Sequence, residues 1–255
     1  MEQEKLTKKV LREKNWHNQT AGKNARKTQE EKYYSIVGRM WNDYIECINK
    51  KLSRENTKLF DYGCGKGNNL IENFSGKIKM GIGVDISENL IKEARIKAEK
   101  EGVKNLDFFV MDAMNTTFDN ETFDIVVGSA ILHHLDLKVS LNEIKRVLKS
   151  DGKAVFFEPL GINPFIALYR KLTPKARTVD EHPFTRRDIK QIKEIFPNAE
   201  IRYYSFFTLF AVPFRKFKLF SKMCSVLNFM DKIILGKYSP FKYMAWICLI
   251  EMRKN

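Results

Sequence analysis

A glycine-rich loop preceded by an acidic residue is the part of this sequence best suited to bind a ligand. Residues 61–67 read Asp-Tyr-Gly-Cys-Gly-Lys-Gly, after a short apolar run and before a stretch that can start a helix. Strand, glycine loop and helix N-terminus together form the nucleotide site of doubly wound α/β proteins. The spacing G-x-G-x-G differs from the G-x-G-x-x-G of dinucleotide sites, and Asp61 would repel pyrophosphate and attract a cation. A glycine turn without a ligand is the alternative.

Two further acidic residues follow predicted strands in the same way. Asp85 lies 24 positions after Asp61, near the offset at which a carboxylate holds ribose hydroxyls, and Asp112 follows the third strand. Because the carboxyl ends of parallel strands meet at one edge of a sheet, the three carboxylates should lie near one another. A helix cap or turn is the structural alternative for Asp85 and Asp112.

Alternating strands and helices between residues 58 and 159 predict a parallel sheet covered on both faces. The predicted strands are Lys58–Tyr62, Met80–Asp85, Leu106–Met111, Phe123–Gly128, Lys153–Phe157, Ala199–Phe207 and Tyr243–Arg253. Ser87 should cap a helix that ends at Gly102, and further helices are predicted over Leu137–Lys149 and Thr185–Phe196. Thr185 and Asp188 have capping-box spacing.

Two flanking segments do not fit this alternation. Residues 1–55 are basic and helical in pattern, and residues 208–242 mix aromatic with basic side chains. We expect residues 1–55 to form a helical lid and 208–242 a helical cap over the ligand, with 56–207 and 243–255 forming the core. An extra helix packed on the sheet is the alternative for each segment.

The positive charge of the chain lies in the segments on either side of the glycine loop. The chain has 255 residues and a net charge of +14. Residues 1–55 contain 13 Lys/Arg and 8 Asp/Glu, and residues 160–255 contain 18 and 7. Residues 56–159, by contrast, contain 14 Lys/Arg and 16 Asp/Glu. The loop therefore lies in the one segment that is not basic. The basic flanks are open to three interpretations: an anionic substrate, nucleic acid, or a solvated surface.

Localisation is predicted from the cysteines and the hydropathy. The four cysteines are far apart, so neither a metal site nor a disulfide framework is indicated. No apolar run approaches the roughly 20 residues of a spanning helix. We expect a cytoplasmic protein without a membrane span.

Residues 58–159 resemble the class I S-adenosylmethionine (SAM)-dependent methyltransferases. The resemblance rests on D-x-G-C-G-x-G at 61–67, F-D-x-V at 123–126, S-x-x-L-H-H-L at 129–135 and V-L-K-S-D-G-K at 147–153. Residues 158–184 are similar to a bacterial subgroup of the methyltransferase-11 (UbiE-like) type, which includes enzymes of specialised metabolism. The resemblance implies a Rossmann-like seven-stranded α/β sheet of order 3-2-1-4-5-7-6, with the seventh strand antiparallel.

The resemblance also implies SAM as cofactor and S-adenosylhomocysteine as product. The loop would lie beside the cofactor, Asp85 would hold the ribose and Asp112 the adenine amino group. The implied cofactor residues are Asp61, Gly63, Cys64, Gly65, Gly67, Asn68, Asn69, Asp85, Ile86, Asp112, Ala113 and Ser129, with Tyr33 and Tyr34 from the lid.

Methyl transfer from a sulfonium needs alignment of the reacting atoms, and a base only where the acceptor carries a proton. His133 and His134 are the leading candidates for that base, with a role in shaping the pocket as the alternative. His182 is a second candidate with Glu158 as its partner, and a structural turn is its alternative. The basic run Arg170, Lys171, Lys175 and Arg177 could meet an acidic acceptor or form a solvated face.

These features favour methyl transfer to a small-molecule or peptide acceptor, possibly anionic, with oxygen of a hydroxyl or carboxylate as the preferred atom. A nucleic-acid methyltransferase is disfavoured, since no Asn/Asp-Pro-Pro-Tyr segment follows the fourth strand and no RNA-binding module is recognisable. A non-catalytic SAM-binding protein stays open, and an NAD-dependent dehydrogenase is disfavoured by the loop. The acceptor and the oligomeric state are left open.

Overall fold

The computed structural model describes residues 2–20, 27–53, 55–173, 181–236 and 238–254, with the backbone alone for residues 2–9, 20, 27–35 and 169. Its helices are α1 (Glu2–Thr20), α2 (Lys27–Asn49), α3 (Glu88–Lys100), α4 (Leu137–Val147), α5 (Pro164–Leu172), α6 (Arg186–Ile195) and α7 (Phe220–Ile234). Its strands are β1 (Lys58–Tyr62), β2 (Met80–Asp85), β3 (Leu106–Val110), β4 (Phe123–Ser129), β5 (Leu148–Pro159), β6 (Glu200–Tyr204) and β7 (Ile247–Arg253). Short π or 3₁₀ turns cover Asn69–Phe74, Ser75–Lys77, Leu132–His134, Phe207–Phe214 and Pro240–Met244.

The seven strands form one sheet in the order β3-β2-β1-β4-β5-β7-β6. The neighbours from β3 to β5 are parallel, and β7 runs antiparallel to both β5 and β6. This confirms the predicted fold class. The chain builds outward from β1 in one direction and from β4 in the other, so the connections diverge between β1 and β4. Such a switch point leaves a crevice at the carboxyl ends of the strands.

Alternate residues of the central strands enter two separate cores, one on each face of the sheet. Phe60, Val126 and Phe156 belong to one apolar cluster, while Leu59 and Val155 belong to the other. Because both faces are covered by helices, the strand residues are apolar nearly throughout.

Several boundaries differ from the sequence prediction. β5 begins at Leu148, since a bulge opposite Phe123 and Ile125, with Asp151 at φ 64°, lets the predicted turn join the strand. β6 ends at Tyr204 and β7 begins at Ile247, because the adjoining residues form 3₁₀ turns. α5 was not predicted. Its cap is Asn163, whose side chain accepts hydrogen bonds from the backbone of Phe165 and Ile166.

The flanking segments pack in different ways. α2 places Val37, Met40, Tyr44 and Ile48 in the apolar cluster on one face of the sheet, which matches the alternative of an extra packed helix. The segment Phe207–Ile234 contacts α2 and β6, and α1 contacts α3. A lid or cap role for these segments stays a proposal.

Replacement of Gly67 by alanine should destabilise the fold. Gly67 has φ +70°, and a Cβ there would lie 2.7 Å from the Phe108 ring and 3.1 Å from Ala94. We expect Gly67→Ala to lower the free energy of unfolding by about 2 kcal/mol or more, measured by urea denaturation. Gly38→Ala is the matched control, because Gly38 lies within α2 and no atom of the described residues is within 4 Å of its Cβ position. This change should raise stability by up to about 1 kcal/mol. Equal effects of the two changes would contradict this account.

Candidate active site

The glycine loop turns sharply out of β1 and leaves open space beside its centre. Cys64 donates from its backbone to Val84 at 2.8 Å, and Gly67 donates to Cys64 at 2.9 Å. A Cβ at Gly63, which has φ +77°, would lie 2.5 Å from the Ile131 side chain. At Gly65, with φ +54°, no atom of the described residues lies within 4 Å of the Cβ position. The loop therefore presents bare backbone to a space that a ligand can enter.

Asp61 and Asp85 lie side by side at the ends of β1 and β2. Asp85 accepts hydrogen bonds from the backbone of Gly65 at 3.0 Å and Ser87 at 2.9 Å. Asp61 is only 2% exposed, and its Oδ2 has no hydrogen-bond partner in the described part of the chain. Burial, and secondarily the Asp85 charge, raise the pKa of Asp61 to about 7. A buried carboxylate oxygen without a donor is costly, and a cationic ligand would satisfy it.

Asp112 lies two residues after the end of β3, and the structure shows the turn role considered for it. Its Oδ1 accepts from the backbone of Met114 at 2.9 Å, which is the turn role. The preceding Met111 donates to the Asp85 carbonyl at 3.1 Å, so the ends of β2 and β3 are joined at the same edge. Ala113, next to Asp112, is buried in the core. The structure thus brings all three predicted aspartates to one edge of the sheet.

Other residues predicted for the cofactor have contacts of their own. Asn68 accepts from Lys97 at 2.7 Å, and Asn69 donates to the Tyr44 hydroxyl at 3.1 Å. These amides therefore join the residues that follow the glycine loop to α3 and α2. Cys64 is buried, and burial raises the pKa of its thiol. Ile86 and Ser129 are partly exposed beside the ends of β2 and β4. The side chains of Tyr33 and Tyr34 lie outside the described part of the chain.

Buried Glu158, at the end of β5, holds the segment after β4. Its carboxylate accepts from the backbone of Ile131 at 3.0 Å and Leu132 at 2.8 Å, and it lies 2.6 Å from His133 Nδ1. Ala130 in the same segment has φ 53°, a strained conformation for a residue with a Cβ. Glu158 therefore stabilises a strained turn that packs against Gly63.

His133 and His134 have different surroundings. His133 is buried, and its second nitrogen lies 3.7 Å from Glu181, which pairs with Arg170 at 2.7 Å. The side chain of His134 is 15% exposed, and its Nδ1 lies 3.4 Å from Glu13 of α1. His133 is thus enclosed by carboxylates, while His134 is at the border of the crevice.

The predicted pairing of His182 with Glu158 is wrong. The His182 side chain is 69% exposed, and its Nε2 lies 3.8 Å from Asp188. Glu158 pairs with His133 instead, because β5 and the segment after β4 are neighbours in the sheet whereas His182 precedes α6 on the surface. In the basic run, Lys171 is exposed, and Lys175 and Arg177 lie outside the described residues.

Sequence reasoning missed a group of residues on α1. Asn18 accepts from the Ser87 hydroxyl at 2.5 Å, and Lys14 pairs with Glu88 at 2.7 Å. The His17 ring lies 6.1 Å from the His134 ring and 3.7 Å from Glu13. α1 therefore bridges the start of α3 and the segment after β4. The Glu13 and His17 spacing of one helical turn was the available signal, but it cannot show which surface that turn faces.

Comparison with known proteins agrees with this geometry. Residues 60–156 match the family model described as a methyltransferase domain. The match covers 97 of the 255 residues, the part of the chain that holds the glycine loop and the three aspartates. SAM is the cofactor of this domain.

Relatives of the methyltransferase domain are found among curated proteins and solved structures. The chain is 30% identical over 164 residues to demethylmenaquinone methyltransferase of Lactococcus lactis and 29% identical over 143 residues to aklanonic acid methyltransferase DauC of a Streptomyces species. These matches span 55% and 52% of the chain, and 64% and 61% of the two relatives. Among solved structures, geranyl diphosphate C-methyltransferase from Streptomyces coelicolor has a similar fold, with a TM-score of 0.63 at 14% identity over 92% of this chain and 87% of that one.

The residues at the strand ends fit SAM. Its ammonium group can donate to the orphaned oxygen of Asp61, and its ribose hydroxyls can donate to carboxylates such as Asp85. The open space at Gly65 admits the cofactor against the loop backbone.

Replacement of Glu158 by glutamine should loosen the segment after β4. If the amide oxygen stays on Ile131 and Leu132, its NH₂ group faces the backbone N–H and Nδ1 of His133, which now meet the second carboxylate oxygen, and the negative charge that strengthens all of these contacts is lost. We expect Glu158→Gln to lower the free energy of unfolding by about 3 kcal/mol, with faster amide exchange at Ile131 and Leu132. Glu194→Gln, which affects an exposed pair with Lys190, should change stability by less than about 0.5 kcal/mol. Unchanged exchange at Ile131 in Glu158→Gln would refute a positioning role for Glu158.

Proposed function

We propose that this protein transfers a methyl group from SAM to an oxygen atom of a small-molecule or peptide acceptor. The observation that carries the proposal is the buried, unpartnered Oδ2 of Asp61 beside the open space at Gly65. This oxygen takes no hydrogen bond from the described chain and is costly to bury. A cationic ligand explains why an acidic residue lies there.

The three aspartates would hold the cofactor. Asp61 would bind the amino-acid end, Asp85 the ribose and Asp112 the adenine amino group, as the resemblance implies. When bound, SAM supplies an electrophilic methyl group on a sulfonium whose departure leaves a neutral thioether. The protein then has to align the acceptor with that methyl group and, for a hydroxyl acceptor, remove its proton.

His134 is the histidine best placed to take that proton. Its Nδ1 lies 3.4 Å from Glu13, and an imidazole nitrogen can accept a proton from an acceptor O–H. His133 cannot readily do the same, because Glu158 and Glu181 lie against both of its ring nitrogens. We therefore assign His133 to positioning and His134 to proton transfer.

A small acceptor is supported by the names of the relatives. Demethylmenaquinone and aklanonic acid, named for the two curated relatives, are small molecules. Geranyl diphosphate, named for the structural neighbour, is methylated at carbon. The choice of oxygen in this chain rests on the His134 and Glu13 geometry.

The Asp61→Asn variant tests the cofactor site. Calorimetry should show SAM binding to the wild-type protein that weakens about ten-fold from pH 8 to pH 6, because protonation near pH 7 removes the carboxylate charge. Asp61→Asn should bind at least about ten-fold more weakly at pH 8 and lose that pH dependence. Asp107→Asn, an exposed position on β3, is the matched control and should behave like the wild type. Absence of SAM binding to the wild-type protein would refute the proposal.

The same variant should be more stable than the wild type in the absence of ligand. The pKa of Asp61 in the folded state lies above its unfolded value, so ionisation is disfavoured by folding. The resulting destabilisation grows between about pH 4 and pH 7 and is fully present above pH 7. At pH 8 we expect Asp61→Asn to unfold at higher urea concentration, with a gain on the order of 2 kcal/mol that disappears near pH 4. A loss of stability at pH 8 would instead indicate a structural role for Asp61.

The role of His134 is tested with methyl-labelled SAM and a panel of phenols, aliphatic alcohols and carboxylic acids. For an accepted phenol or alcohol, His134→Gln should lower kcat about a hundred-fold with little change in the KM for SAM, and should remove the acidic limb of the pH–rate profile. His182→Gln should leave both unchanged, since His182 lies on the surface. Labelling of carbon or nitrogen alone across a wider panel would contradict the assignment to oxygen.

A further inference from the structure

α7 has exposed apolar side chains on its outward side although it also buries Cys224 on its inward side. Its inward side carries Asp231, whose carboxylate accepts from the backbone of Phe207 at 2.7 Å and from the Thr208 hydroxyl at 2.6 Å. Its outward side carries Val226, Phe229 and Ile233, which are 62%, 64% and 66% exposed. These residues recur every three or four positions and so form one stripe. A surface helix normally buries such a stripe.

α5 and the residues between β6 and α7 extend this exposed apolar stripe. Phe165, Leu168 and Leu172 follow one side of α5, and each is more than half exposed. The Phe165 ring lies 6.2 Å from that of Phe210, which is also half exposed. We call the exposed apolar side chains of α5, residues 210–219 and α7 the outer apolar surface. Apolar surface of this extent on a folded protein marks an interaction site.

Basic side chains are interleaved with this surface. Between residues 207 and 234 the sequence has five basic residues, Arg215, Lys216, Lys218, Lys222 and Lys232, all of them exposed. The only acidic residue of that range is Asp231, which is buried and hydrogen-bonded inward. The outer apolar surface therefore carries positive charge that no neighbouring carboxylate of the segment offsets.

The outer apolar surface borders the edge of the sheet that holds the cofactor residues. Pro159 at the end of β5 and Tyr204 at the end of β6 both pair with Ile247, so the two strands end at the same level. α5 follows β5, and the 207–234 segment follows β6. Both parts of the surface thus begin at the carboxyl ends of the strands, as do Asp61, Asp85 and Asp112.

We propose that the outer apolar surface docks the protein onto an anionic lipid bilayer. Exposed aromatic and aliphatic side chains can enter the boundary between headgroups and acyl chains, while the lysines meet anionic headgroups. No helix in the described part of the chain is long and apolar enough to cross a membrane, so the contact is interfacial. A second copy of the chain fits less well, because a symmetric contact would bring the same lysines together. The proposal does not depend on methyl transfer.

Co-sedimentation of the full chain with lipid vesicles tests the proposal. We expect binding to phosphatidylcholine vesicles that contain about one-third phosphatidylglycerol, and at least about ten-fold weaker binding to phosphatidylcholine alone. Lys216→Glu with Lys218→Glu should weaken binding to the anionic vesicles at least about ten-fold. Lys92→Glu with Lys100→Glu is the matched control, because it makes the same change in net charge at exposed positions of α3 and should alter binding by less than about two-fold.

A second pair of variants tests the apolar contribution. Phe229→Ser with Ile233→Ser should weaken vesicle binding about ten-fold or more. Ile96→Ser with Val139→Ser, at exposed positions of α3 and α4, should not. Failure of the wild-type chain to bind anionic vesicles would overturn the proposal, as would equal losses in the lysine and control pairs. A stable dimer that Phe229→Ser with Ile233→Ser dissociates, without vesicle binding, would assign the surface to a second copy. SAM calorimetry on the same variants reports the methyltransferase site separately.

Discussion

The switch point of the sheet places two carboxylates, buried Asp61 and half-buried Asp85, at the ends of neighbouring strands. Asp85 is stabilised there by backbone N–H groups of Gly65 and Ser87, whereas one oxygen of Asp61 has no donor in the described chain. Burial, and secondarily the nearby Asp85 charge, make ionised Asp61 unfavourable, which is why its pKa rises to about 7. A cationic cofactor reverses this cost. The ionised Asp61 carboxylate therefore destabilises the protein without ligand, and this cost favours the binding of a cation.

A second buried carboxylate, Glu158, has the opposite character, because donors surround it. It accepts from consecutive backbone groups after β4 and pairs with His133. That arrangement holds the strained Ala130 and sets Ile131 against Gly63. Two acidic residues of the same crevice thus differ in role because of their hydrogen-bond donors: one organises the protein, and the other is available to a ligand.

The basic segments before and after the central sheet region pack against it differently. α1 reaches His134 and the start of α3 through Glu13 and Asn18, whereas α2 is buried against the sheet. α7 buries Asp231 and exposes Phe229, since Asp231 caps the backbone of residues 206–208. The positive charge of residues 160–255 lies in part among exposed apolar side chains, which a solvated surface alone does not explain.

Local pattern in the sequence was enough for the strands β1 and β2, the Ser87 and Thr185 caps, the glycine loop and the meeting of three aspartates at one edge. These depend on side-chain alternation, capping chemistry and the geometry common to parallel sheets, all of which act over a few residues or follow from strand order.

Tertiary structure decided the partner of Glu158, the exposure of His182 and the position of Glu13 and His17. Each depends on segments far apart in the chain, and a carboxylate or imidazole in a sequence does not reveal which donor will be packed against it. The outward apolar side of α7 was hidden for the same reason: periodicity shows that a helix has two unlike sides, but only packing decides which side is buried.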